Sequence, residues 1–217
     1  SHPVSGDLME VVASLTTVGA DRICISPLDA VWCRNPQHYN RWLLDVTRAL
    51  PEVIPVPVID PTMPTWPEEL DLVANDPRVR MIKLHPAYHG YELTAVDACF
   101  AAAGEKNLAV QIQTRMEDPR RQHPLQQVPD VLLKDIVEAA ERHPHMRVLA
   151  GGPRGTEIQQ EQERLRSLPN LYVDVSQCDG LDTIRLFCEG ELENKLLFAS
   201  HAPLLIPWSA MARVVTD

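Results

Sequence analysis

No apolar stretch of this chain approaches the ~20 residues needed to cross a bilayer, because a proline or a charge interrupts every hydrophobic run. A membrane-spanning protein is therefore not expected. The first residues, Ser1-His2-Pro3-Val4-Ser5-Gly6-Asp7, lack the basic start and apolar middle of a signal peptide. The five cysteines (24, 33, 99, 178 and 188) are odd in number and nowhere spaced C-x-x-C. That argues against a disulfide framework and a cysteine zinc cage, and makes a reducing cytoplasm the expected compartment. Positive charge is scarce, with 20 basic against 30 acidic side chains and a formal net charge of −10. Nucleic acid and anionic membrane surfaces are poor partners for such a chain. G-x-G-x-x-G, Walker A, G-x-S-x-G, H-E-x-x-H and EF-hand patterns are all missing.

What is present is enough apolar material, 45% of 217 residues, for one sizeable core, and a single domain over residues 1–217 is expected. The 19 prolines sit singly between patterned segments and read as loop punctuation. Leu8, Val11, Val12 and Leu15 lie at helical spacing behind Asp7, with Gly19 as a stop, so the first element is an amphipathic helix over 7–18. RICIS at 22–26 reads as a short strand, and Asn35-Pro36 opens a helix carrying Trp42, Leu43, Val46 and Leu50. The alternation continues with strands at 53–59, 79–85, 108–113, 147–150, 171–175 and 196–200. Helices fall at 67–75, 94–103, 130–143, 155–168, 180–190 and 208–215. Thr94 with Asp97 reads as the cap of the helix at 94, and Gly104 as its end.

Strand and helix alternating at about 25–30 residues per unit is the pattern of parallel α/β folds. Seven strands and eight helices fit a (β/α)8 TIM-barrel-like fold lacking, or truncated at, strand one. A doubly wound open sheet is the competitor, and the missing glycine-rich turn weighs against it. An exterior of helices with exposed Trp or Leu would suit a homodimer.

Strands buried on both faces usually read as continuous Val, Ile and Leu, so polar residues at every second position are informative. In Met81-Ile82-Lys83-Leu84-His85 the apolar pair should face the surrounding helices, which turns Lys83 and His85 inward. Gln111 and Gln113 share an inner face, as do Tyr172, Asp174 and Ser176. His201 ends the last strand, at the carboxyl mouth where such barrels carry chemistry. Lys83, His85, Gln113, Asp174 and His201 thus offer a cation, two imidazoles, an amide and a carboxylate to one pocket. A buried polar network that merely fixes strand register would look the same.

The loops add candidates for substrate binding. His85-Pro86-Ala87-Tyr88-His89-Gly90-Tyr91 places Tyr88 and His89 around a turn glycine. The connection from Thr114 to Pro129 carries Arg115, Glu117, Asp118, Arg120, Arg121 and His123, and its length suits a lid as well as a salt-bridged surface flap. His143 and His145 precede a strand at its amino end and read as surface residues. Gly151-Gly152-Pro153-Arg154 could offer backbone N–H groups to an anion.

The segments VRMIKLHPAYHGYEL, LAVQIQTRMEDPRRQHPL, NLYVDVS and LLFASHAPLLIPWSA resemble the amidohydrolase-related branch of the amidohydrolase superfamily, from about residue 22 onward. The resemblance implies a TIM barrel and, in usual members, one divalent metal held by an H-x-H pair on strand one, histidines ending strands five and six, and an aspartate ending strand eight. At those positions this sequence has a lone His2 near the first, then Gln113, Gly151 and His201. A neutral amide is a poor zinc ligand and glycine offers no side chain, which leaves His85 and His201 as tentative ligands of no metal or a weakly held one, zinc for preference.

Three readings follow. One is a hydrolase of a small carboxylate, amide or lactone, with His201 or Asp174 as general base and Lys83 or a loop arginine stabilising negative charge. Metal independence has precedent in the superfamily's metal-free lactonases. The second is a non-catalytic barrel that binds a small ligand or a protein. The third is a metal-dependent hydrolase or decarboxylase whose H-x-H strand is missing from this chain.

Overall fold

A computed structural model describes residues 6–216. Asp7 caps the first helix, α1 (Leu8–Thr17), by accepting from the N–H groups of Met9 and Glu10 at 2.8 and 3.1 Å. The chain then alternates through β1 (Ile23–Ile25), α2 (Gln37–Val46), β2 (Val53–Pro55), α3 (Trp66–Ala74), β3 (Met81–Leu84), α4 (Pro86–His89) and α5 (Asp97–Glu105). It continues with β4 (Ala109–Gln113), α6 (Leu133–Arg142), β5 (Val148–Gly151), α7 (Gly155–Gln160), α8 (Gln162–Ser167), β6 (Leu171–Asp174), α9 (Thr183–Glu189), β7 (Leu196–Leu197) and α10 (Pro207–Thr216). Among the described residues no helix is long and apolar enough to cross a membrane.

All strand pairs are parallel and follow chain order, β1 against β2 and then β3-β4-β5-β6-β7. A single bridge, Val58 to Lys83, joins the two groups. The segment predicted as one strand over 53–59 is split because Pro55 and Pro57 have no N–H to donate. Val56 donates back to Ile25 at 2.8 Å, whereas Lys83 donates to Pro57 and Ile59 to Lys83, at 2.8 and 3.0 Å. One segment therefore pairs with a strand on each side. The result is a parallel β/α barrel of the TIM type with seven described strands and an open sector between β7 and β1.

The open sector is lined by a helix. Val12 and Leu15 of α1 pack with Ile23 and Val53, with Leu8, Val11 and Ala202 against them. Elsewhere the strands' outer residues, among them Ile82, Leu84, Val110, Ile112, Val148 and Val173, join Phe100, Leu133, Ile136 and Leu165 of the helices in one continuous core. Removing that apolar surface from water, at about 25 cal/mol per Å², holds the helical layer to the barrel.

Local differences from the predicted elements have local causes. The strand expected over 196–200 is only Leu196–Leu197, since its pairing with β6 ends at Asp174 and Leu197, and His201 further on takes a left-handed backbone conformation (φ +53°). The helix expected from Thr94 begins at Asp97 after a short 3-10 turn, without a side-chain cap, and runs through Gly104 to Glu105. The helix expected over 155–168 breaks at Glu161. The turn expected at His85–Tyr91 contains α4, ended by Gly90 at φ +75°.

Candidate active site

The alternation of side chains along β3, β4 and β6 leaves their polar members around a central cavity of about 640 Å³. Lys83, His85, Gln113, Asp174 and His201 all line it, together with Gln111, Tyr172 and Ser176. Ile25 and Val56, with Val11 of α1 and Leu197 beyond the open sector, supply apolar wall. The five residues read from the sequence as one pocket are thus brought together.

His201 has its ring orientation fixed by a backbone group. Its Nε2 lies 2.7 Å from the carbonyl oxygen of Met116. A carbonyl can only accept, so Nε2 carries the hydrogen and the neutral ring keeps its lone pair on Nδ1. Among the described residues Nδ1 has no protein partner, and it is not sealed from solvent. Burial, then the charge of Lys83, holds the imidazole below its ordinary value, with the Met116 bond and Asp174 opposing. The left-handed φ of a non-glycine residue on the cavity wall is strain of the kind that persists at functional positions.

His85 is deeper, 1% exposed. Its imidazole is pushed well below the ordinary range by burial first and then by Lys83, His89 and His201. It stays neutral, and its Nδ1 is buried without a partner.

Lys83 keeps access only through the cavity, and burial lowers its ammonium to about 8, with Asp174 opposing. The other three lysines are engaged. Lys106 pairs with Asp71, Lys134 lies 3.7 Å from Glu138, and Lys195 donates to Leu168 while lying 5.4 Å over the Tyr172 ring.

Asp174 does more positioning than proton transfer. Its Oδ1 accepts from Gly152 N (3.1 Å), Ser176 N (3.0 Å) and Ser176 Oγ (2.6 Å). The Gly152 N–H that could have met an anion is used in this way. Gln113 donates from Nε2 to Arg115 O at 2.7 Å, which holds the amide against the start of the following loop.

The expected substrate-binding cations of that loop are placed otherwise. Arg115 is buried, with Asp130 and Glu157 at 3.0 and 2.6 Å and Gly152 O at 2.8 Å. It ties the loop to α7 and has no face on the cavity. Arg121 and His123 are exposed on the outside. Tyr88 packs edge-on against Trp32 at 5.0 Å, and His89 Nε2 donates to Ala30 O at 3.1 Å. Both stand behind His85, outside the cavity wall. His145 is exposed and His143 half-buried against Asp97 at 2.8 Å. The lone His2 lies outside the described residues.

Two features escaped the sequence reading. Cys24 and Ser26 of the first strand region line the cavity beside Ile23 and Ile25, so alternation along this strand does not mark them out. The Met116 carbonyl could not have been found, because a backbone acceptor leaves no mark in residue type.

The donor set does not fit the divalent metal that the resemblance implies. Among the described residues no group of three His, Cys, Asp or Glu side chains is arranged to hold an ion. His201 Nε2 and Asp174 Oδ1 are already bonded to protein. At Gly151 a Cβ would stand 2.7 Å from Gln111 Nε2 and 2.9 Å from Gln113 Oε1, so the space for a ligating side chain is filled by amides. The ammonium of Lys83 beside both histidines opposes a second cation as well.

A parallel β/α barrel with a polar cluster at the carboxyl ends of its strands is the architecture of many enzymes. The family model described as Amidohydrolase matches residues 28–215, and the chain belongs to that family. A search of the curated proteins finds no match. Among solved structures the chain is similar to 5-carboxyvanillate decarboxylase LigW from Sphingomonas paucimobilis, with TM-score 0.73, 14% identity, and 97% of this chain and 77% of that one covered. It is similar also to an uncharacterized TIM-barrel protein from Bordetella bronchiseptica, with TM-score 0.73, 15% identity and coverage of 97% and 75%. A third is 2,6-dihydroxybenzoate decarboxylase from Rhizobium, with TM-score 0.70, 13% identity and coverage of 99% and 87%. At such identities these likenesses establish the fold.

Proposed function

We propose that this chain is a metal-independent hydrolase that opens a small ester, lactone or amide, one bearing a carboxylate included, at the carboxyl end of the barrel cavity. The observation that carries the reading is the single tautomer imposed on His201 by Met116, which directs an unprotonated nitrogen to the site as general base. His201 takes a proton from an attacking water. Lys83, largely protonated at neutral pH with its ammonium near 8, faces the negative charge that develops on the carbonyl oxygen. His85, neutral and buried behind them, shapes the wall. Asp174 keeps the loops after β5 and β6 in register and offsets part of the positive charge.

The similar decarboxylases act on aromatic acids by their names, and an aromatic carboxylate would also fit a cavity of about 640 Å³. Hydrolysis is favoured because a base and a cation face the same accessible space. The test is a panel of p-nitrophenyl esters, aliphatic and aromatic lactones and anilides, assayed with and without EDTA. Turnover of at least one member, unchanged by the chelator, is expected. No turnover, or activity abolished by EDTA and restored by zinc or manganese, would replace this reading with the non-catalytic or the metal-dependent one.

A further inference from the structure

Lys83 is the one lysine of four, all of them described, whose nitrogen has neither an ion-pair nor a hydrogen-bond partner. It projects from the middle of β3, a strand bonded on both edges, by the Val58 bridge and by β4. Its base is therefore rigid, and its tip ends in a cavity large enough for a small organic molecule. A buried ammonium without a paired carboxylate destabilises the fold unless something uses it. The imidazole of His201, with its free lone pair, opens on the same cavity.

From this geometry we infer that Lys83 is a covalent nucleophile that captures small aldehydes or ketones with an apolar body as an imine, an activity separate from ester or amide hydrolysis. In the step, the Nζ lone pair of the neutral amine forms a C–N bond to the carbonyl carbon. The C=O π pair moves to oxygen, which gains a proton while nitrogen loses one. His201 Nδ1 accepts the nitrogen's proton and returns it to the departing hydroxyl. Water leaves as C=N forms, so one amine and one carbonyl compound give one imine and one water, and hydrolysis reverses the step. No oxidant or second reactant is needed. The apolar side chains of Val11, Ile25, Val56 and Met81 on the cavity wall select the apolar body.

The experiment is reductive trapping with benzaldehyde and sodium borohydride at pH 7.5, read by intact mass and peptide mapping. One benzyl group per chain is expected, on Lys83, in preference to Lys106, Lys134 and Lys195, whose nitrogens are engaged by Asp71, Glu138 and the Leu168 carbonyl. Lys83→Arg keeps a cation but cannot form an imine and should abolish the label, with circular dichroism confirming the fold. Lys134→Arg should leave the label unchanged. Labelling spread evenly over the four lysines, or persisting in Lys83→Arg, overturns the inference. So does no labelling of the wild type. Because ester and lactone turnover is measured separately on the same protein, loss of the label with hydrolysis intact removes only the imine assignment. A label without hydrolysis removes only the hydrolase.

Discussion

His201 Nε2 and the carbonyl oxygen of Met116 meet at 2.7 Å across 85 residues of sequence, joining the end of the last strand region to the loop after β4. The bond fixes which nitrogen of the ring is basic, and so links a loop conformation to the protonation state of the site.

The first prediction concerns that ring. His201→Ala and His201→Gln should each lower kcat/KM for a turned-over ester by roughly 10²–10⁴-fold, the usual contribution of a positioned base. Because burial holds the imidazole below its ordinary value of 6.5, the base remains unprotonated below that pH. The acid limb of the wild-type kcat/KM profile should accordingly fall at a pH lower than 6.5. A wild-type limb above 6.5, or a variant of unchanged rate, assigns the base elsewhere.

Acid stability gives the second prediction. His85 and His201 both have folded values depressed from 6.5. Between 6.5 and those values the unfolded chain binds more protons than the folded one, so stability falls with falling pH. The contribution is complete above about 6.5 and is lost progressively as the pH drops through the folded values. His85→Leu should therefore show a shallower fall in urea midpoint between pH 7 and 5 than the wild type. Parallel curves would mean that His85 is as easily protonated folded as unfolded.

How much of this could be read from residues alone depends on where the information lies. Period-two patterning placed Lys83, His85, Gln113 and Asp174, and the end of the last strand placed His201, around one cavity, because burial on both faces of a barrel strand makes an inward polar residue conspicuous. Arg115 reads as a substrate-binding cation from its place on a long charged connection, not from strand patterning, and it does not line the cavity. A charged residue on a long connection looks like a ligand-binding cation, and only the tertiary arrangement brings Asp130 and Glu157 to 3.0 and 2.6 Å from it. The strand at 53–59 was legible in type but not in pairing, since its two prolines decide which N–H groups remain for each neighbour. Element ends at Asp97 and Glu161 were misplaced for a related reason, as no side-chain cap marks either helix start.

Arg115 supplies the third prediction. Replacing it with Met removes the cation from between two half-buried carboxylates and takes one of two donors from Gly152 O, Thr114 Oγ1 remaining at 2.6 Å. Breaking a buried pair from one side costs about 3–5 kcal/mol. Arg115→Met should lower the urea midpoint accordingly, whereas Arg121→Met, on the exposed surface, should stay within about 0.5 kcal/mol of wild type. If instead Arg115→Met is as stable as wild type and raises KM, the guanidinium binds substrate after all.

Lys83 should trade stability for activity, which is the fourth prediction. Its ammonium is lowered from 10.5 to about 8 by burial, so between those values the unfolded chain holds more protons, and below about 8 the folded state carries the full penalty of a poorly solvated charge. Lys83→Met removes the charge and keeps much of the length. At pH 7 the variant should be more stable than wild type by about 1–3 kcal/mol, taking 1.36 kcal/mol per unit as the ceiling. The gain should shrink as the pH rises from 8 and vanish above about 10.5, where both states of the wild-type lysine are neutral. The same substitution should reduce ester or lactone turnover, because the cation facing the developing oxyanion is gone. Urea melts of both proteins from pH 6 to 11, paired with rates at each pH, separate the two effects. A variant that is less stable at pH 7 would show that the ammonium is held by partners, and one of unchanged rate would remove Lys83 from the hydrolytic step.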